Sequence, residues 1–192
     1  MLEKLPAGLG RVLRAARPGV TELVINDEAL AEVAEAIAVA SPAFEEGGAL
    51  PPRFTADGEG ASPPLAWTGV PEDAKEVVLL IEDADSPTPH PLVHAIVWQL
   101  PPGDGALADA ALPAAVDVQT VPAMGVNSYL RIGYLPPDPP PGHGPHRYAF
   151  QVFALAAPLT IDTDAPGRTE LVDALRMHPI AKGMLIGTYE RT

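Results

Sequence analysis

The sequence predicts a mainly β fold: a packed β domain over residues 41–192, preceded by a helical extension over residues 1–40. Three observations predict it. The chain has 24 prolines against 4 phenylalanines and 2 tryptophans, a composition of turns and fixed bends that suits short strands better than long helices. From Ser41 onward, short apolar runs alternate with Pro/Gly punctuation, the pattern of strands joined by turns. The first 40 residues differ, with apolar side chains recurring at helical spacing.

Within that extension Leu2, Leu5, Leu9, Val12, Leu13 and Ala16 share a periodic stripe, with Lys4, Arg11, Arg14 and Arg17 mostly between them. Residues 6–17 therefore read as a short amphipathic helix ended by Pro18-Gly19. A second helix is expected from Asp27 to about Ala40, because Asp27 and Glu28 suit the positive end of a helix dipole and Leu30, Val33 and Ile37 share a face. Ser41-Pro42 breaks that pattern.

The β domain shows three clear strands, Glu76–Glu82 (EVVLLIE), Leu92–Leu100 (LVHAIVWQL) and His146–Leu155 (HRYAFQVFAL). The first is apolar on both faces, as a central strand of a packed sandwich would be. A last helix is expected over Thr169 to Met177, before Pro179, and Met184–Tyr189 reads as a closing strand.

Composition narrows the function. A formal charge of -13 excludes partners recognised mainly through a phosphate backbone, which needs clustered Lys and Arg, so no nucleic-acid partner is expected. The chain has no cysteine, which removes thiol nucleophiles, thiolate metal sites and disulfides together, and a cytoplasmic location is the expectation. No apolar stretch has the length of a signal peptide or of a transmembrane segment.

The chemistry-bearing residues lie at strand ends. Alternation along a strand sets His94 with Ile96, Trp98 and Leu100, and sets His146 and Tyr148 with Phe150. The loop Asp83-Ala84-Asp85-Ser86-Pro87 follows the first strong strand, and a crossing back would bring it to His94. The proline-rich stretch from Gly133 to Pro145 leads into His146 as a preformed wall. Taken singly, His94 reads as a satisfied strand histidine and Asp83 and Asp85 as turn caps. Their coincidence points to a ligand pocket at the end of the β domain.

The motifs Ser41–Phe44 (SPAF), Asp57–Trp67 (DGEGASPPLAW), Gly69–Pro71 (GVP), Asp83–Pro87 (DADSP) with His94, Gly142–Tyr148 (GHGPHRY) and Phe153–Leu155 (FAL) follow one another in an order that resembles the phosphatidylethanolamine-binding (Raf kinase inhibitor-like) proteins of bacterial type. The resemblance covers roughly residues 41–192. It implies an antiparallel β-sandwich with Greek-key connections, a few peripheral helices and a small pocket for a phosphate or phosphorylated headgroup. The positions matching the family's pocket are Asp83, Asp85, Pro87, His94, Pro139, Pro140, His146 and Tyr148. Leu92 and Ala95 stand where the family shows tryptophan, Pro136 stands in place of a glycine, and Asp138 adds a negative charge nearby.

Two imidazoles and a phenol can donate to an anion, and Asp83 can fix a histidine tautomer. The leading expectation is thus a non-catalytic binding protein for a small anionic or phosphorylated ligand, acting on a protein partner such as a kinase or hydrolase, with no cofactor. One alternative is a metal-dependent enzyme in which Asp83, His94 and His146 form a two-histidine, one-carboxylate site. Another is an interaction protein that inhibits a hydrolase through its surface, with the stripe of residues 2–16 holding a homodimer.

Overall fold

The computed structural model describes residues 7–114 and 123–191. In chain order its regular elements are α1 (Ala7–Leu13), β1 (Ala38–Ala40), β2 (Leu65–Thr68), β3 (Glu76–Asp83), β4 (Leu92–Leu100), β5 (Gly105–Leu107), β6 (Ala123–Met124), β7 (His146–Leu155), α2 (Arg168–Leu175) and β8 (Pro179–Tyr189), with single 3-10 turns between them. The strands form two antiparallel sheets, one ordered β1-β2-β5 and one ordered β6-β4-β3-β7-β8. The expected strands over 76–82, 92–100 and 146–155 are present, and the closing strand extends further back than expected, to Pro179.

β3 lies in the centre of the larger sheet and is buried along its whole length. One face, carrying Val77, Leu79 and Ile81, meets Leu65 and Trp67 of the smaller sheet in the main core. The other face, carrying Val78 and Leu80, is covered by Leu23, Val24, Ile25 and Leu30 and by Leu171, Val172 and Leu175 of α2. Two apolar layers explain the unbroken hydrophobicity of this strand.

The segment before Ser41 departs from expectation. No α-helix spans Asp27 to Ala40; the chain instead makes 3-10 turns at Val20–Glu22, Val24–Asn26 and Glu28–Leu30, and Ala38–Ala40 pairs with β2. The cause is tertiary. Three buried polar side chains on the large sheet reach the backbone of this segment: Glu82 accepts from the Val24 amide at 3.0 Å, Gln151 accepts from the Ile25 amide at 2.7 Å, and Lys182 donates to the carbonyls of Ile25 and Leu30 at 3.0 and 2.9 Å. These bonds, with those of the Lys182 backbone to the Ala34 carbonyl and the Ile37 amide, replace those of a helix, and local helix propensity gives way to them. Gly183 permits the close approach, since a Cβ there would overlap the Ile37 carbonyl.

Candidate functional site

β-pairing assembles the site. Asp83 is the last residue of β3 rather than a loop residue, and it is the cross-strand partner of Tyr148 on β7 and of Leu92 on β4. His146 lies two residues before Tyr148 on the same face of β7, so Asp83 meets both. His94 arrives differently. The β3–β4 register shifts between Ile81 and Glu82, so that Glu82 faces Val93 and Ile81 faces Ala95. This bulge takes His94 out of strict alternation: Ile96 and Trp98 enter the outer core layer, while the His94 ring meets Tyr148 edge-on at 5.2 Å. The expected grouping of His94 with Ile96 and Trp98 is corrected accordingly.

A small cleft opens here, lined by Asp83, Leu92, His94, Tyr129, Leu135, Pro136 and Asp138. Its water-accessible volume of about 10 Å³ matches the need of one water molecule. His94 Nδ1 lies 2.6 Å from the Leu135 carbonyl and must donate to it, which leaves Nε2 as an acceptor while the ring is neutral. Burial pushes the His94 pKa down, against the opposing pull of the Asp83 charge and the Leu135 hydrogen bond. Both His94 Nε2 and the Tyr148 hydroxyl are buried and have no hydrogen-bond partner among the described residues. Burial also pushes the Tyr148 pKa well above its ordinary value, with the Asp83 charge adding to the effect, so this phenol is a donor at any physiological pH.

Of the expected residues only Asp83 and His94 line the cleft; the others, Tyr148 beside His94 included, do not. Asp85 is fully buried and turns away, accepting from the Arg147 amide, Nε and Nη2 at 2.9, 2.7 and 2.7 Å, with Arg17 at 3.3 Å. The Pro139 carbonyl accepts from Arg191 at 3.2 Å, and the Pro140 carbonyl accepts from the His143 amide at 3.1 Å. Pro87 is half-buried in the loop after β3. His146 is fully buried behind Asp83, with Nδ1 at 2.7 Å from Asp83 Oδ2 and Nε2 at 2.7 Å from His143 Nδ1. Asp138 pairs with Arg191 at 2.5 Å, and Arg191 also grips Asp57.

The two-histidine, one-carboxylate alternative is not assembled. Both ring nitrogens of His146 and Nδ1 of His94 are committed to protein partners, and among the described residues no group of three His, Asp or Glu could hold a metal ion. Sequence reasoning passed over His143, Tyr129, Arg17 and Arg191 as site components. Only His143 carried a signal, its spacing of three from His146 in the Gly-His-Gly turn.

Comparison with known proteins agrees with this architecture. Residues 40–190 match the model of the phosphatidylethanolamine-binding protein family. A UPF0098 protein from Methanothermobacter thermautotrophicus is 35% identical over 149 residues, covering 78% of this chain and 95% of the relative. The crystal structure of CT736 from Chlamydia trachomatis, a homolog of that family, superposes with a TM-score of 0.71 at 35% identity over 83% of this chain and 100% of its own. That of Escherichia coli YbcL, described as a new member of the mammalian family, gives 0.73 at 27% identity over 82% of this chain and 99% of its own. Shared sequence across most of both chains, and a shared fold, show that this chain belongs to the phosphatidylethanolamine-binding protein family.

Proposed function

We propose that this protein binds a small anionic or phosphorylated ligand in the cleft beside Asp83 and does not transform it. The carrying observation is the pair of buried, unpartnered polar atoms, His94 Nε2 and the Tyr148 hydroxyl. Burying a polar group without a partner costs roughly 1–3 kcal/mol, and a site that bears two such groups side by side is organised for something that hydrogen-bonds to both. A phosphate monoester does so: its P–O⁻ oxygens accept from the phenol, and its P–OH donates to a neutral imidazole or its oxygen accepts from a protonated one.

Two carboxylates near the cleft oppose an anion, and each is matched. Asp83 is matched by the His146 imidazole and Asp138 by Arg191. Admitting a phosphate requires outward movement of the Leu135–Asp138 wall, because the enclosed space is smaller than the ligand. The hydroxyl in the loop after Asp83, Ser86 Oγ, bonds Thr88 Oγ1 rather than an imidazole, which supports binding over nucleophilic chemistry. No described helix is long and apolar enough to cross a membrane. A cytoplasmic location and a regulated protein partner complete the reading.

Titrating the protein with inorganic phosphate and phosphoethanolamine, followed by NMR, tests it. Tyr148→Phe should weaken binding roughly tenfold or more, the effect of one hydrogen bond to a charged group. Its folding stability should be unchanged or higher, because the lost hydroxyl had no partner. Affinity should rise as pH falls, since burial holds His94 neutral in the free protein and an anion favours its protonated form. Absence of binding, or a Tyr148→Phe variant binding like wild type, would reject the reading.

A further inference from the structure

We infer that His143 is a positioning residue of the cleft and that, through it, the docked N-terminal segment fixes the protonation of the Asp83–His146 pair; the inference rests on the anion-binding reading. The geometry is a continuous chain. Asp83 Oδ2 lies 2.7 Å from His146 Nδ1, His146 Nε2 lies 2.7 Å from His143 Nδ1, and His143 Nε2 lies 2.9 Å from the carbonyl oxygen of Leu13, the last residue of α1. Both imidazoles are fully buried.

Counting protons gives this chain its meaning. A peptide carbonyl only accepts, so His143 carries its proton on Nε2 and, while neutral, offers a lone pair at Nδ1. His146 must then carry a proton on Nε2 to meet it. The bond between His146 Nδ1 and Asp83 needs a further proton, held by one of those two groups. Three hydrogen bonds thus require three protons, and two neutral imidazoles supply only two. The third sits on the Asp83–His146 pair, where it cancels the carboxylate charge that faces the cleft. Arg17 Nη2 lies 3.4 Å from His143 Nδ1 and disfavours a second proton there, as does burial of the ring, so the extra proton belongs to the inner pair.

The charges around the chain keep this order. On the outer side Arg17 donates to the His143 and Pro145 carbonyls at 2.5 and 2.7 Å and lies near Asp85, which Arg147 also neutralises. On the cleft side His94 and Asp138 line the cleft with Asp83, and Tyr148 is its cross-strand partner. A proton on His143 would meet Arg17 Nη2, 3.4 Å from Nδ1, whereas a proton between His146 and Asp83 meets a carboxylate. The dock itself is tight: a Cβ at Gly10 would overlap the Pro141 carbonyl, and the Gly19 amide donates to the Ala84 carbonyl at 2.8 Å, one residue from Asp83.

The test uses three full-length variants, with inorganic phosphate as the probe. His143→Gln keeps both contacts, because its amide oxygen can accept from His146 and its amide nitrogen can donate to Leu13. It should bind phosphate like wild type and retain the downfield imidazole N–H resonance of His146. His143→Leu removes both contacts; that resonance should disappear, phosphate affinity at neutral pH should fall about tenfold, and the pH at which binding is lost should drop by about one unit. His143→Asn, which preserves polarity should the leucine variant fail to fold, keeps the acceptor but cannot reach Leu13. It should retain the resonance while amides of residues 9–17 become exchangeable. A leucine variant with the wild-type pH profile and resonance, a glutamine variant as impaired as leucine, or an asparagine variant with α1 still protected would overturn the inference. A wild-type protein that binds no phosphate rejects the anion reading, and the resonance in the three variants then decides the positioning role alone.

Discussion

Glu82→Ala should destabilise the protein by about 3–5 kcal/mol, the cost of removing one partner from a buried ion pair. Glu82 is fully buried, and its carboxylate serves three donors: the Val24 amide at 3.0 Å, Gln151 Nε2 at 2.8 Å and Arg168 Nε at 2.7 Å. Alanine leaves a buried amide, a buried carboxamide and a half-buried guanidinium without this acceptor, and opens a cavity on the outer face of β3. Arg168 also holds the Glu22 carbonyl at 3.0 Å, so its displacement loosens the same segment from the other side. Folded domains are stable by only about 5–15 kcal/mol, which makes this loss a large fraction of the total.

The defect should be local before it is global. In hydrogen exchange, the amides of Val24 and Ile25 should lose protection well before those of β3 and β7, because the apolar layer of Leu23, Ile25 and Leu30 docks only while its backbone is hydrogen-bonded. Glu82→Gln keeps the shape and loses the charge, and should cost about 1.5–3 kcal/mol. Urea unfolding measures both variants. A loss below about 1 kcal/mol for alanine would show that the N-terminal segment is held by apolar contact alone.

The same network explains how far the sequence could be read. β3, β4 and β7 were legible because each is a long apolar run between turn residues, and burial on both faces of β3 wrote itself into EVVLLIE. Residues 27–40 misled because Leu30, Val33 and Ile37 are buried or half-buried and do fall at helical spacing. What fixed their backbone was β8, remote in sequence: the Lys182 side chain donates to the Leu30 carbonyl, and the Lys182 backbone bonds the Ala34 carbonyl and the Ile37 amide. At the site, alternation placed His146 and Tyr148 on one face, whereas Asp83 was read as a loop residue and is the last residue of β3. His94 was assigned to the wrong face because a register shift has no signature in composition, and His143 was missed because a Gly-His-Gly turn reads as a loop until Leu13 and His146 are placed on either side of it.

Asp85→Ala should cost about 2–3 kcal/mol near neutral pH, with a pH dependence of defined sign. Breaking a buried pair is worth more than this, but the Arg147 side chain is 41% exposed and solvent recovers part of the loss. Burial by itself would raise the Asp85 pKa; hydrogen bonds from the Arg147 side chain and amide, with the charges of Arg147 and Arg17, outweigh it and hold the carboxyl below its ordinary 3.8. A depressed folded-state pKa contributes stability that is fully present above the unfolded pKa and disappears as pH falls through the folded one. The stability difference between wild type and Asp85→Asn, an uncharged near-isostere, should therefore be constant from pH 7 to pH 5 and shrink below about pH 4. Urea unfolding at pH 7, 5 and 3 measures it. A difference that stays constant down to pH 3 would mean that Asp85 acts through shape and hydrogen bonding rather than charge. A difference that closes on acidification would show that its ionised carboxylate ties the loop after β3 to the start of β7 and, through Arg17, to the segment that follows α1.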